Sequence, residues 1–249
     1  MIELNHVTKR FGDKVAVHDL SLTLDPGTIT GFIGPNGAGK TTTIRMLCGI
    51  LAPDEGTITI NGHSIQEDPI AAKEEFGYIS DNPDLFTALR GNEYINFICD
   101  VYGVAPDDRA RRLEELLDEF EMREAIGDKI SSYSHGMRQK VHIIATLMHD
   151  PRLWIMDEPM TGLDPQSSFL LKQRMKAHAG RGNTVLFSTH VLEVAEKLCD
   201  RIAIINHGEL CYTGTLDALK EQYPESSLEE IFLRVTGSRV MAQHEEVAE

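Results

Sequence analysis

Short apolar runs alternate with amphipathic stretches along this chain, and the amphipathic stretches gather into one block near its middle. Ile2-Glu3-Leu4 and Val15-Ala16-Val17 carry alternating or β-branched positions, and Leu20, Leu22 and Leu24 alternate with polar neighbours up to a Pro26-Gly27 turn. This opening segment is predicted to form an antiparallel β subdomain. Thr28–Ile33 reads as a buried strand, Thr41–Leu47 as a helix, Thr57–Ile60 as a strand closed by Asn61-Gly62, and Phe76–Ile79 as a short buried strand. From about Asp81 to Asp150 the spacing becomes helical. Pro106-Asp107-Asp108 starts one helix with Leu113, Leu116, Leu117 and Phe120 on one face. A second follows Ser134, with Met137, Val141, Ile144, Ala145 and Met148 as its apolar stripe. Leu153–Met156, Thr184–Ser188 and Arg201–Ile205 are then apolar strands, and Glu209–Tyr212 pairs after a His207-Gly208 turn. Strands alternating with helices predict an α/β fold with a mostly parallel sheet covered on both faces. Residues 1–237 are expected to form one domain with a helical insertion at about 81–150, followed by a polar, acidic and frayed tail at 238–249.

Chemistry enters at Gly34-Pro35-Asn36-Gly37-Ala38-Gly39-Lys40-Thr41, which meets every position of the phosphate-binding P-loop pattern. A strand enters it and a helix leaves it, as the pattern requires. Its glycines let several backbone N–H groups converge on phosphate oxygens, and the following helix adds the positive end of its dipole. Lys40 is expected to reach the β- and γ-phosphates and the Thr41 hydroxyl to ligate Mg²⁺. Asp157-Glu158 closes the strand Leu153–Met156, at the carboxyl end where open α/β sheets bind ligands. One acid is expected to hold Mg²⁺ through water, the other to orient and deprotonate an attacking water. His190 follows the strand Thr184–Ser188, where an imidazole can hydrogen-bond a γ-phosphate.

Bulk properties narrow the class. At 249 residues, 41% hydrophobic and 25% charged, the chain can bury a sizeable core. Its 24 basic against 39 acidic residues leave a net charge of −15, which argues against a general nucleic-acid binder. Cys48, Cys99, Cys199 and Cys211 show no paired or metal-ligand spacing and read as reduced thiols of a cytosolic protein. The amino terminus lacks signal-peptide character, and no apolar run approaches the ~18 residues of a membrane span.

Five motifs in order carry a family resemblance: Gly34–Thr42, Ser134-His135-Gly136-Met137-Arg138-Gln139, Asp157-Glu158-Pro159, Gly162-Leu163-Asp164-Pro165 and Ser188-Thr189-His190. Over nearly all of residues 1–237 the chain resembles the ATP-binding subunit of an ATP-binding-cassette (ABC) transporter. Its end, Ser227–Leu233, looks most similar to the exporter-type subunits. The resemblance implies a P-loop NTPase core and a cytoplasmic ATPase bound to the membrane through a separate polytopic permease, a short helix of which the helical section 81–150 would receive. It implies an ATP site made of Phe11 stacked on adenine with Val17 beside it, and of Gly34, Pro35, Asn36, Gly37, Ala38, Gly39, Lys40, Thr41 and Thr42 around the phosphates. Ser134, Gly136 and Asp164 would serve the nucleotide of a second ATP-binding subunit, identical or different, in a head-to-tail dimer. Glu158, His190 and Lys40 would be catalytic, with Thr41, Asp157 and Asp81 at the Mg²⁺.

Two positions depart from the family pattern. Asp81 stands where Gln is usual, one methylene shorter and negatively charged, and His135 replaces the first glycine of the motif beginning at Ser134. A side chain at 135 would either crowd the second subunit or donate to phosphate, so slow or asymmetric hydrolysis is a hypothesis that ATPase rates of His135→Gly at pH 5.5–8 would test. The competing class is a soluble cassette ATPase acting on DNA, ribosomes or iron–sulfur assembly. The charge and the lack of a second cassette or long coiled coil disfavour it. A purely regulatory module is weakened by Glu158 and His190, and no Asn-Lys-x-Asp guanine-reading motif supports a GTPase.

Overall fold

The computed structural model describes residues 1–84, 86–224 and 226–237; the expected tail at 238–249 lies outside them. Strands β1 (Ile2–Phe11), β2 (Lys14–Leu24) and β3 (Ile29–Ile33) lead to helix α1 (Lys40–Leu47). Then come β4 (Glu55–Ile60), β5 (His63–Ser64), α2 (Pro69–Glu74) and β6 (Phe76–Ile79). The middle block holds α3 (Gly91–Val101), α4 (Pro106–Glu119), a 3-10 turn (Ile130–Ser132) and α5 (His135–Met148). Next are β7 (Leu153–Met156), α6 (Pro165–Gly180), β8 (Thr184–Thr189) and α7 (Leu192–Leu198). The described chain ends through β9 (Arg201–Asn206), β10 (Glu209–Thr215), α8 (Leu216–Gln222) and α9 (Leu228–Val235).

Two sheets result. An antiparallel one has the order β2-β1-β4-β5. The other has the order β10-β9-β3-β8-β7-β6, parallel except for β10 at its edge. β1 and β2 run to 10 and 11 residues, well past the short alternating stretches that announced them. The reason is visible in their pairing: register shifts between Leu4 and Val7 and again near Lys9 reset the alternation, and His6 and Asp19 sit at φ of 51° and 47°. A bulge moves the buried positions from one parity to the other, so a strict period of two breaks where the strand does not.

The parallel sheet separates two cores. Ile29, Ile33, Trp154, Met156, Val185, Phe187, Ile202 and Ile204 face the cluster built with α5 and α6. Phe32, Ile155, Leu186, Ala203 and Ile205 face the opposite cluster with α1 and the antiparallel sheet. This two-sided burial explains why the central strands read as unbroken apolar runs. Caps fix the helices that matter for the site. Ser134 accepts the Met137 N–H at 3.2 Å to start α5, and Asp164 accepts the Ser167 N–H at 2.8 Å to start α6.

Candidate functional site

The order β9-β3-β8-β7-β6 sets neighbouring carboxyl ends along one edge of the parallel sheet. His207 follows β9, the P-loop follows β3, His190 follows β8, Asp157 and Glu158 follow β7, and Asp81 follows β6. Five segments far apart in sequence therefore reach one edge without any need for long side chains. A cavity of about 660 Å³ opens there. Phe11, Lys14, Val15, Ala16 and His207 line one end; Asn36, Gly37 and Gly39 to Thr42 line the middle; Asp81 and Glu158 line the other end.

Gly39 shows why the loop needs glycine. It sits at φ +110° immediately before α1, and a Cβ there would stand 2.8 Å from the Ala16 carbonyl oxygen. The Gly208 N–H donates to the Ala38 carbonyl at 2.8 Å, so the β9–β10 turn is pinned against the loop. Lys40 folds back to donate to the Gly34 and Pro35 carbonyls at 2.7 and 3.2 Å, with its Nζ 4.0 Å from Glu158 Oε1. Burial holds its ammonium below the usual range, opposed by the nearby Glu158 and Asp157 carboxylates. A multiply charged anion in the cavity would restore what burial takes away.

The acids are wired through one hydroxyl. Ser188 Oγ donates to Asp157 Oδ1 at 2.5 Å and accepts the Glu158 backbone N–H at 2.9 Å. Asp157 is fully buried, which pushes its carboxyl up, with the Ser188 and Thr41 hydroxyls pulling it back down. Its Oδ2 is buried and meets no donor in hydrogen-bonding geometry among the described residues. An orphaned carboxylate oxygen beside the Thr41 hydroxyl is a donor set of hard oxygens, and it fits a divalent cation such as Mg²⁺. Glu158 takes φ +48°, a left-handed conformation that costs a side-chain-bearing residue about 1–2 kcal/mol. Its Oε1 lies 3.0 Å from His190 Nδ1. Asp81 Oδ1 accepts from Ser80 Oγ at 3.2 Å and lies 3.8 Å from the Arg45 guanidinium, which offsets its charge.

One sequence expectation lands elsewhere, that of Val17 beside the adenine position. Phe11 stands half exposed at the cavity rim, with Lys9 Nζ 5.7 Å from its ring centroid. Val17, expected beside it, is fully buried and packs beneath Gly39 instead; Val15 and Ala16 form the wall. The bulged register of β1 against β2 turns Val17 inward. Ser134, Gly136 and Asp164 do not line the cavity that holds their own P-loop. They sit on neighbouring segments: a Cβ on Gly136 would come 2.6 Å from the Gly162 carbonyl, the His135 imidazole packs over Gly162, and Lys140 holds Asp164 at 2.8 Å. That ion pair and the Ser167 bonds keep the Asp164 carboxyl well below its usual range. Lys14 and His207 were missed by sequence reasoning. His207 follows a strand at its carboxyl end, the signal that marked His190, and applying it to every parallel strand would have found it.

Comparison with known proteins agrees with this layout. The profile of the ABC transporter family matches residues 17–161. The ABC-type transporter ATP-binding protein EcsA of Bacillus subtilis (strain 168) is 36% identical over 238 residues, 95% of this chain and 96% of that protein. The Nod factor export ATP-binding protein I of Burkholderia lata is 35% identical over 220 residues, 88% of this chain and 72% of that protein. A solved ATP-binding subunit of an ABC transporter superposes with a TM-score of 0.90 at 33% identity, covering 95% of this chain and 99% of that one. A dimeric bacterial ABC transporter cassette superposes with a TM-score of 0.77 at 25% identity, covering 87% and 99%. With its P-loop, paired acids and histidine gathered at one sheet edge, the chain belongs to the ABC transporter family.

Proposed function

We propose that this chain is the ATP-binding and ATP-hydrolysing subunit that powers a separate membrane permease, in the direction of export. The observation that carries the reading is the convergence of the P-loop, Lys40, the orphaned Asp157 oxygen and the Glu158–His190 pair on one edge. Phe11 stacks on the adenine ring. The backbone N–H groups of the loop and Lys40 take the phosphates. Thr41, Asp157 and Asp81 would hold Mg²⁺, and a cation held there would neutralise charge on the transferring phosphoryl group. Glu158 orients a water and accepts its proton, and His190 steadies both Glu158 and the γ-phosphate.

A second ATP-binding subunit completes the site. Ser134, Gly136 and Asp164 stand outside their own cavity, so they reach a nucleotide only in a partner cassette. The dimeric cassette among the solved relatives supports this reading. Export is supported by a relative named for Nod factor export and by the similarity of Ser227–Leu233 to exporter-type subunits. Among the described residues no helix is long and apolar enough to cross a membrane, so a permease must supply the path, with this subunit on its cytoplasmic face. Affinity purification from detergent-solubilised membranes tests the partner: a polytopic protein should co-purify, and recovery of ribosomes or DNA instead would overturn the transport reading.

A further inference from the structure

A second cavity, of about 330 Å³, lies on the seam between α4 and α6, over β7. Its walls carry Arg111 and Arg112 from α4, Arg174 from α6 and Arg181 from the residue that ends α6. Glu115 and Asp150 share the lining, so what the cavity can bind turns on how the four guanidiniums are paired.

Their pairing is uneven. Arg174 is committed to Glu115 and Glu119 at 2.9 and 2.7 Å, Arg181 reaches Asp150 at 3.0 Å, and Arg111 reaches Asp108 at 2.8 Å. Arg112 donates only to the Met148 carbonyl, at 2.7 Å, and has no carboxylate partner among the described residues. Trp154 also lines the cavity. It is 3% exposed, and its indole N–H finds no acceptor among the described residues. A buried donor without an acceptor is an expense that folded proteins seldom keep. The Trp154 ring stacks on His178 at 3.9 Å between centroids, and the fully buried His178 leaves its Nε2 unpartnered too. Both neighbouring imidazoles are held neutral: His149 and His178 fall to about 4, chiefly through burial, with Arg112 acting on the first and Arg181 on the second.

We propose that this cavity binds a soluble phosphate-bearing anion at a site separate from the P-loop. Guanidinium forks match the oxygen geometry of phosphate, and Arg112 is the fork left without a carboxylate among the described residues. A free phosphate compound fits better than a lipid headgroup. α4 also carries Asp107, Asp108, Glu114 and Asp118, and a helix so rich in acids repels an anionic bilayer. The ligand would tie α4 to α6 beside β7, the strand that leads into Asp157, three residues after Trp154.

Trp154 is the single tryptophan of the chain and lines this cavity, and a P-loop variant separates its response from that of the nucleotide site. Titration of the whole protein with inorganic pyrophosphate should give a saturable change, kept in Lys40→Ala, whose P-loop is disabled. Arg112→Ala should weaken that response by about tenfold, the worth of a charge-assisted hydrogen bond. Arg111→Ala, at an exposed position, should weaken it in the same direction and stands in if the first variant fails to fold. Loss of the response in Lys40→Ala, or full affinity in both arginine variants, would overturn the site. An equal change with sodium chloride, or with phosphatidylglycerol vesicles in place of pyrophosphate, would do the same.

Discussion

Glu158 combines a left-handed backbone, an N–H bonded to Ser188 and a carboxylate 3.0 Å from His190, and these features separate binding from turnover. The Ser188 bond and the backbone turn do not depend on the side-chain charge. Glu158→Gln should therefore hold ATP with nearly wild-type affinity while kcat falls by about 10²–10⁴, the span of a lost general base. Hydrolysis at the wild-type rate in that variant would remove Glu158 from the reaction. Asp157 separates stability from function in the opposite sense. Burial raises its carboxyl above the ordinary 3.8, so the folded state prefers it protonated. That contribution is present below the unfolded value and is lost as pH rises through the folded one, leaving an unfavourable buried charge at pH 7. Asp157→Asn should raise the Tm of the nucleotide-free, metal-free protein at pH 7 and abolish Mg²⁺-dependent hydrolysis. The Tm difference should shrink on acidification toward pH 4; a lower Tm in the variant would show that the carboxylate is compensated by something other than a cation.

Between elements, the seam of α5 and α6 against the sheet stores a pH dependence. His149 closes α5 and stacks on Tyr102 at 3.7 Å, while His178 lies in the last turn of α6. Burial lowers both from 6.5 to about 4, with Asp150 opposing the shift at each. Below 6.5 the unfolded chain binds protons that the folded one refuses, so stability should fall as pH drops from 6.5 toward about 4. Differential scanning fluorimetry across that range should show the loss, with a shallower slope for His149→Gln; an unchanged slope would exclude this imidazole as a cause. The same elements show what a sequence can disclose. α4 and α5 were legible because Pro106 and Ser134 mark their starts and their apolar faces keep helical spacing. The P-loop, Asp157, Glu158 and His190 were legible because each follows an apolar strand. β1 and β2 were truncated because bulges change the parity of their buried positions, and Val17 was misplaced for that reason. Lys14 carries no local pattern, since the turn from β1 to β2 brings it to the cavity, whereas His207 carries the strand-end signal that was applied only to His190.

For the whole molecule, charge and geometry make opposing demands. The cavity holding the P-loop lacks Ser134, Gly136 and Asp164, so on the proposed function a complete nucleotide site needs a second subunit, and in a pair of identical chains each would bring a net charge of −15. Like-charged bodies associate only when a specific contact outweighs their repulsion, and salt weakens that repulsion. On the proposed function ATP supplies the contact, because its γ-phosphate would be shared between Lys40 of one subunit and the amino end of the partner's α5. Hydrolysis removes it. Glu158→Gln, unable to reach the ADP state, should therefore accumulate as a dimer with ATP and remain monomeric with ADP. Raising ionic strength from about 0.01 to about 0.1 M shortens the screening length from about 30 to about 10 Å, so the dimer fraction at fixed ATP should rise over that range. Sedimentation velocity separates the two species directly. A dimer that forms equally with ADP, or one that dissociates as salt is added, would mean that the subunits meet through a surface other than the nucleotide site.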